Sequence, residues 1–301
     1  MRAMSFFRPL LISIALAGAA FSQTPPTVPN AHFHHLHLNA TDPAKDIEFY
    51  TTKFEAEKAK FAGIADAVWA HKAWILFQKV NAPPTSDITS TIWHFGWGAE
   101  DMKATYQKQL DSGTQFQTPI TDISDIGGGA NVQMGRFFYA YVDGPDHALI
   151  ELNTANHHHF GHVHLLSEDP VAAGEWYAKT FGQTVRSTKA AHIYRDVQIA
   201  PSASFTMDDV NFIIYPVQYA RTSKWPYWDG RQTFESTKGH VVDHIGISVD
   251  NLDDAIARLK AAGVKVTDEP RSVAGGRIKY AFIEGPDKMR IEIIEGHAKK
   301  E

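Results

Sequence analysis

The chain has no cysteine among its 301 residues. That excludes disulfides, thiolate metal sites, a cysteine nucleophile and a lipid-bearing cysteine anchor, and it is compatible with an oxidising compartment. Positive charge is not in excess either: 29 Lys and Arg against 34 Asp and Glu give a formal charge of −5 and an isoelectric point near 6.3. A basic face is the usual electrostatic footprint of a nucleic-acid binder, so no nucleic-acid partner is expected. No stretch reaches the roughly 20 consecutive apolar residues of a membrane span, and no membrane association is expected of the mature form. With 44% hydrophobic and 21% charged residues, the composition excludes disorder and fibrous repeats.

The first residues read as an export signal. Arg2 and Arg8 supply a positive region, Pro9 to Phe21 is apolar and small, and Ala20-Phe21-Ser22 is a small-x-small cleavage site. The reading is a signal peptide over 1–22, a flexible leader over 23–30, and an exported, periplasmic or secreted protein.

Histidine is plentiful, at 16 residues, which points toward metal or acid–base chemistry. The chain also repeats itself, and repeats decide the architecture. His35-Leu36-His37-Leu38, followed by Asp42-Pro43, Tyr50 and Phe54, returns 127 residues later as His162-Val163-His164-Leu165, Asp169-Pro170, Tyr177 and Phe181. Trp93-His94-Phe95-Gly96 leading to Gly113 returns 150 residues later as Asp243-His244-Ile245-Gly246 leading to Gly263. Asp143-Gly144-Pro145-Asp146 with Glu151 returns 141 residues later as Glu284-Gly285-Pro286-Asp287 with Glu292.

Each unit has one local grammar. A period-2 strand (35–40, 92–97, 162–167 or 243–249) ends at a polar cap, and an amphipathic helix of about three turns follows. Asp42 and Asp169 are N-caps, with Pro43 and Pro170 at the first helical position, where a missing N–H costs nothing. Tyr50 and Phe54, and likewise Tyr177 and Phe181, lie four apart and face the core. Gly113 and Gly263 stop the second and fourth helices. Extended segments follow at 73–80, 137–142, 148–152, 211–218, 278–283 and 290–294, rich in β-branched and aromatic residues. The unit is therefore strand, helix, then about three strands. Four units in two successive pairs give domains over 31–155 and 158–298, with His157-His158-His159 at the joint.

Within a strand, residues two apart share a face, so His35 and His37 point one way and Leu36 and Leu38 the other. His94 lies on the matching strand of the second unit. Glu151 sits in Leu149-Ile150-Glu151-Leu152, where a lone carboxylate among core-forming residues is costly unless paired or metal-bound. Two histidines and one glutamate are the ingredients of a facial site with open coordination positions. His35, His94 and Glu151 would form one such set and His162, His244 and Glu292 the other, although no local motif fixes their geometry.

The strings His35-Leu-His-Leu-Asn-Ala-Thr-Asp42, His244-Ile-Gly-Ile-Ser-Val-Asp-Asn-Leu252 and Gly285-Pro-Asp-Lys-Met-Arg-Ile-Glu292 resemble the vicinal oxygen chelate superfamily, which includes glyoxalase I, fosfomycin- and bleomycin-resistance proteins, methylmalonyl-CoA epimerase and extradiol dioxygenases. The resemblance covers nearly the whole mature chain. It implies an α+β fold in which four βαβββ units pair into two domains with curved mixed sheets. It further implies a divalent ion (Fe2+, Mn2+, Zn2+ or Ni2+) held by the six residues just named, with Gln78 as a weak fourth ligand whose counterpart falls near Tyr215-Pro216. The implied function is a metal-dependent enzyme, dioxygenase-like or glyoxalase/lyase-like, acting on a small substrate chelated through vicinal oxygens. The alternative is a non-catalytic, bleomycin-resistance-type small-molecule binder. His37 and His164 face the metal cup beside the first ligand and are candidate catalytic bases or substrate contacts. The segment 217–239, with Arg221, Trp225 and Trp228, is a candidate lid, and Gly127-Gly128-Gly129 a flexible connection. Because one chain already carries four units, a monomer is expected as readily as a homodimer.

Overall fold

A computed structural model describes residues 26–126, 136–222 and 233–300. The expected signal peptide, Gly127–Gly129 and residues 223–232 of the candidate lid lie outside these. The first unit comprises β1 (His32–Ala40), α1 (Pro43–Lys53), β2 (Glu57–Phe61), β3 (Ala65–Ala70) and β4 (Ala73–Lys79). The second has β5 (Ile92–Ala99), α2 (Met102–Asp111), β6 (Phe116–Asp122), β7 (Phe138–Asp143) and β8 (Leu149–Thr154). The third has β9 (Phe160–Ser167), α3 (Pro170–Phe181), β10 (Arg186–Tyr194), β11 (Val197–Met207) and β12 (Val210–Pro216), and a short α4 (Gln218–Thr222) follows it. The fourth has β13 (Val242–Val249), α5 (Leu252–Ala261), β14 (Val266–Val273), β15 (Ile278–Glu284) and β16 (Arg290–Glu295). Among these described residues no helix is long and apolar enough to cross a membrane.

The four unit helices start where a short polar side chain satisfies a free backbone donor. Asp42 accepts from the Lys45 amide, Asp101 from Ala104, Asp169 from Ala172 and Asn251 from Asp254. Proline at the first turn of α1 and α3 fixes φ for the helix at no hydrogen-bonding cost. The buried face of α1 carries Ile47 and Tyr50, and Tyr50 stacks on Trp97 of β5 at 5.9 Å. Burying a side chain such as Ile47 contributes roughly 1.5–3 kcal/mol. Trp97 belongs to a different sheet from β1, so this contact helps join the two sheets through one continuous core.

The strands form two mixed eight-stranded sheets, ordered β14-β15-β16-β13-β1-β4-β3-β2 and β10-β11-β12-β9-β5-β8-β7-β6. In each, two units meet antiparallel through their first strands: β1 with β13, and β9 with β5. Parallel ladders β1·β4, β13·β16, β9·β12 and β5·β8 flank these junctions.

The first unit is thus paired with the fourth and the second with the third, so the sheets cut across the expected halves 31–155 and 158–298. The unit grammar is blind to this choice, because the first strands of the second and fourth units offer the same pattern to β1. A physical signal did exist: only residues 155–159 separate β8 from β9, and short connections keep consecutive strands close; here both flank β5 in one sheet. The leader also differs from expectation where it is described. Val28 is 2% exposed, and the amides of Thr27 and Val28 donate to the carbonyls of Lys179 and Thr180 at the end of α3.

Candidate metal centres

Two irregularities in the ladders shape the centres. Between His37↔His244 and Leu38↔Val242 the register skips Asp243, and between His94↔His164 and Ile92↔Leu165 it skips Trp93. Such bulges re-aim the chain locally. Here they place an extra side chain, Asp243 or Trp93, directly beside His244 or His94: Asp243 bonds the His244 ring and Trp93 packs edge-on to His94. Two residues further along, Gly246 and Gly96 lie opposite His35 and His162, where there is no room for a side chain.

In the first centre His244 Nε2 lies 3.1 Å and His35 Nε2 3.8 Å from Glu292 Oε2. In the second, His94 Nε2 lies 2.7 Å and His162 Nε2 3.7 Å from Glu151 Oε2. His37 and His164 join them: their rings sit 4.5 Å from His244 and 4.4 Å from His94. Donor atoms of His35, His37, His244 and Glu292 all lie within 4.8 Å of one another, as do those of His94, Glu151, His162 and His164.

Every residue anticipated at a site except Gln78 is therefore at one of the two centres, but His35 and His162 have exchanged places. His35 meets His244 and Glu292 rather than His94 and Glu151, and His162 meets His94 and Glu151. The cause is the sheet order: each His-x-His strand pairs with its sheet neighbour's His-x-Gly strand, while each glutamate stays with the histidine of its own unit. Gln78 stands opposite Asn39, not opposite His35, and is exposed, with its amide donating to the Lys79 carbonyl. The fourth protein donor gathered with the other three is His37.

The electrostatics suit a cation. Burial, followed by the neighbouring histidines, holds His35 well below the usual histidine range, and burial lowers His94 against the pull of Glu151. His37 is lowered to about 3 by burial and by His244, and His164 is also well below its usual value by burial and His94. Burial alone would raise Glu151, but the His162 and His94 rings beside its carboxylate hold it well below the ordinary carboxylate range. His244 is the exception: bonds to Asp243 and Glu292 outweigh its burial and raise it.

Among the described residues, five buried ring nitrogens at the two centres, His35 Nε2, His37 Nδ1, His94 Nδ1, His162 Nε2 and His164 Nδ1, have no hydrogen-bond partner. Leaving such a group unsatisfied costs about 1–3 kcal/mol. Imidazole nitrogens clustered around a carboxylate are the donor set of a first-row divalent ion, which would satisfy His35 Nε2 and His162 Nε2, the two that face Glu292 and Glu151. The residues therefore fit the implied metal at both centres.

Sequence reasoning missed the second layer of groups. Asp243 Oδ1 is 2.6 Å from His244 Nδ1, and Arg290 donates to the same oxygen while its guanidinium lies over the Phe282 ring. Around the second centre stand Trp93, Tyr141 and Tyr215, with ring centroids 4.3 Å and 5.0 Å from His94 and 5.3 Å from His164 respectively. Tyr219 of α4 packs on Trp93 at 4.7 Å. Spacing could have flagged Arg290, which is two residues before Glu292 and so on the same strand face.

Residues 159–293 match the family model described as the Glyoxalase/Bleomycin resistance protein/Dioxygenase superfamily. A 57-residue stretch is 44% identical to lactoylglutathione lyase of Salmonella typhimurium, covering 19% of this chain and 42% of that protein. The corresponding enzyme of Escherichia coli O157:H7 is 42% identical over the same length. The chain thus matches less than half the length of these curated relatives. Glyoxalase I from Zea mays superposes with a TM-score of 0.62 at 15% identity, over 88% of this chain and 92% of the maize chain, which shows a shared fold.

Proposed function

From the match of residues 159–293 to the glyoxalase/bleomycin resistance protein/dioxygenase superfamily, we propose that the chain is a member of it and a divalent-metal-dependent lyase or isomerase acting on a small substrate chelated through two vicinal oxygens. The observation that carries this reading is the twice-built cluster of two histidines and a glutamate, each with a buried, unpartnered histidine nitrogen facing the carboxylate. The lactoylglutathione lyase relatives favour lyase chemistry over oxygen insertion.

His35, His244 and Glu292 would hold the ion at one centre, and His162, His94 and Glu151 at the other. A bound divalent ion supplies a Lewis acid to the substrate's oxygens. The chain does the rest. Its buried walls keep water from the reacting atoms, with His35 0% and His94 1% exposed. His37 and His164, neutral because they are buried, hold or move the proton on the carbon next to the chelated oxygens.

The test is proton–deuterium exchange at the carbon adjacent to the carbonyl, followed by NMR, in adducts of 2-oxoaldehydes with thiols and in α-hydroxyketones, using metal-loaded protein. Exchange that vanishes on chelation supports the reading. His37→Phe should keep the metal and lose about 10²–10⁴ in turnover at the first centre. If the metal is lost with the activity, His37 is a ligand and its proton role is withdrawn. Turnover that consumes oxygen would move the chain to dioxygenase chemistry. Tight binding of an aromatic compound with no metal and no turnover would make it a binder.

A further inference from the structure

The two centres share their ligands and differ behind them. A ring that gives Nε2 to a metal must carry its proton on Nδ1, and a buried N–H needs an acceptor. His244 has one, since its Nδ1 is 2.6 Å from Asp243 Oδ1. At the second centre the corresponding bulge residue is Trp93, and the Nδ1 of His94 is buried with no hydrogen-bond partner. Net charge is not the difference. Asp243 is paired with Arg290, and the corresponding Trp93 and Leu149 are both neutral, so neither centre gains net charge from this layer. What differs is a fixed acceptor that selects the metal-binding tautomer, holds the ring plane and makes the ring more basic.

Resting on the metal-centre reading above, we propose that the two centres are unequal: Asp243 acts as a positioning residue that makes the His35/His244/Glu292 centre the high-affinity site, while the His94/His162/Glu151 centre binds the same ion more weakly. Outer partners of this kind are generally worth about 10–100-fold in metal affinity, and that is the expected separation. In partial metal supply the first centre fills before the second, so the chain would work with one loaded centre over a range of ion concentrations in which a symmetric pair would share the ion.

The experiment is a competitive titration of the full chain with Zn2+ or Mn2+ against a chelating indicator, with His35→Ala and His162→Ala assigning the phases. The expected isotherm has two steps. The tighter disappears in His35→Ala and the weaker in His162→Ala. Asp243→Ala should weaken only the tighter step, by about 10–100-fold, and merge it with the other. Asp243→Asn keeps an acceptor oxygen at the same place and should recover part of the loss. Unchanged binding at the centre that a variant does not touch shows that its chain is still folded. Equal constants in the wild type, assignment of the tight step to His162, or a tight step indifferent to Asp243→Ala would each overturn the inference while leaving the metal centres standing. No binding at either centre would overturn the metal-centre reading, and this inference with it.

Discussion

The most exacting check on the centres is a methyl group placed where none fits. A Cβ at Gly246 would lie 2.1 Å from Cε1, 2.2 Å from Nδ1 and 2.7 Å from Nε2 of His35. Non-bonded carbons settle at about 3.5–4.0 Å, so in Gly246→Ala the His35 ring must withdraw by more than about 1 Å. Metal–ligand distances tolerate only about 0.2 Å, and the first centre should therefore lose its ion. Forcing a methyl into a packed site costs about 1–3 kcal/mol, and for a chain of this size each kcal/mol lowers Tm by about 2–4 °C. Elemental analysis and thermal unfolding read both quantities. The control is Gly263→Ala: φ there is +78° and nothing lies within 4 Å of the added carbon, so that change strains the backbone after α5 and should lower Tm with both ions kept. Two ions per chain and an unaltered Tm in Gly246→Ala would refute the reasoning, because the ring could then not be where the structure puts it.

Pairs of substitutions test which histidines share a centre: His35→Ala with His244→Ala should leave one ion per chain and His35→Ala with His94→Ala none, whereas pairing by contiguous halves gives the opposite pattern. Metal at a hundred times its dissociation constant should raise stability by about 2.7 kcal/mol, a gain that a chelator reverses in thermal melts, and a Tm indifferent to metal would contradict the centres. Asp46, buried beside Asp146 and Asp42, is raised to about 7 by burial and then by those neighbours. Between about pH 4 and pH 7 the folded chain binds a proton that the unfolded chain has released, so stability falls across that window and is flat above it. Asp46→Asn should remove the fall and raise Tm at pH 8 but not at pH 4, and equal effects at both would argue against it. Asp169→Ala removes the acceptor that holds the Ala172 amide at 3.0 Å and should cost about 1 kcal/mol in urea unfolding.

The strands that carry the centres announce themselves because burial on both faces makes them apolar apart from the ligands. His35, His94, Glu151, His162, His244 and Glu292 interrupt runs such as Leu149–Leu152, where only a buried function tolerates a polar residue. The capped helices follow from Asp42, Asp169 and their prolines. The outer strands are silent for the converse reason. Glu57–Phe61 and Arg186–Tyr194 lie largely exposed, so no alternation of burial is imposed on them, and Val266–Val273 contains Pro270, which sits at a sheet edge. The mutual pairing of units was illegible because β5 and β13 present the same His-x-Gly face to a His-x-His partner. Asp243 was hidden by the bulge, since strict alternation turns a residue next to His244 toward the opposite side of the sheet.

The pairing of the first unit with the fourth gives the polypeptide a nearly cyclic course. His32 at the start of β1 and His297 just after β16 have ring centroids 4.5 Å apart, and Asn30 donates to Asp250 at 2.8 Å. The four units are thus beads on a loop whose ends almost touch, and the natural opening between the fourth and first beads is one of four equivalent places. A circular permutant that joins the ends and opens between β4 and β5, at residues 80–91, would run through the second and third units and then the fourth and first, so that each sheet becomes a continuous stretch of chain. Cutting instead at residues 155–159 leaves two fragments, each carrying half of both sheets and half of both centres. Neither has a complete ligand set, and metal binding becomes a readout of fragment complementation.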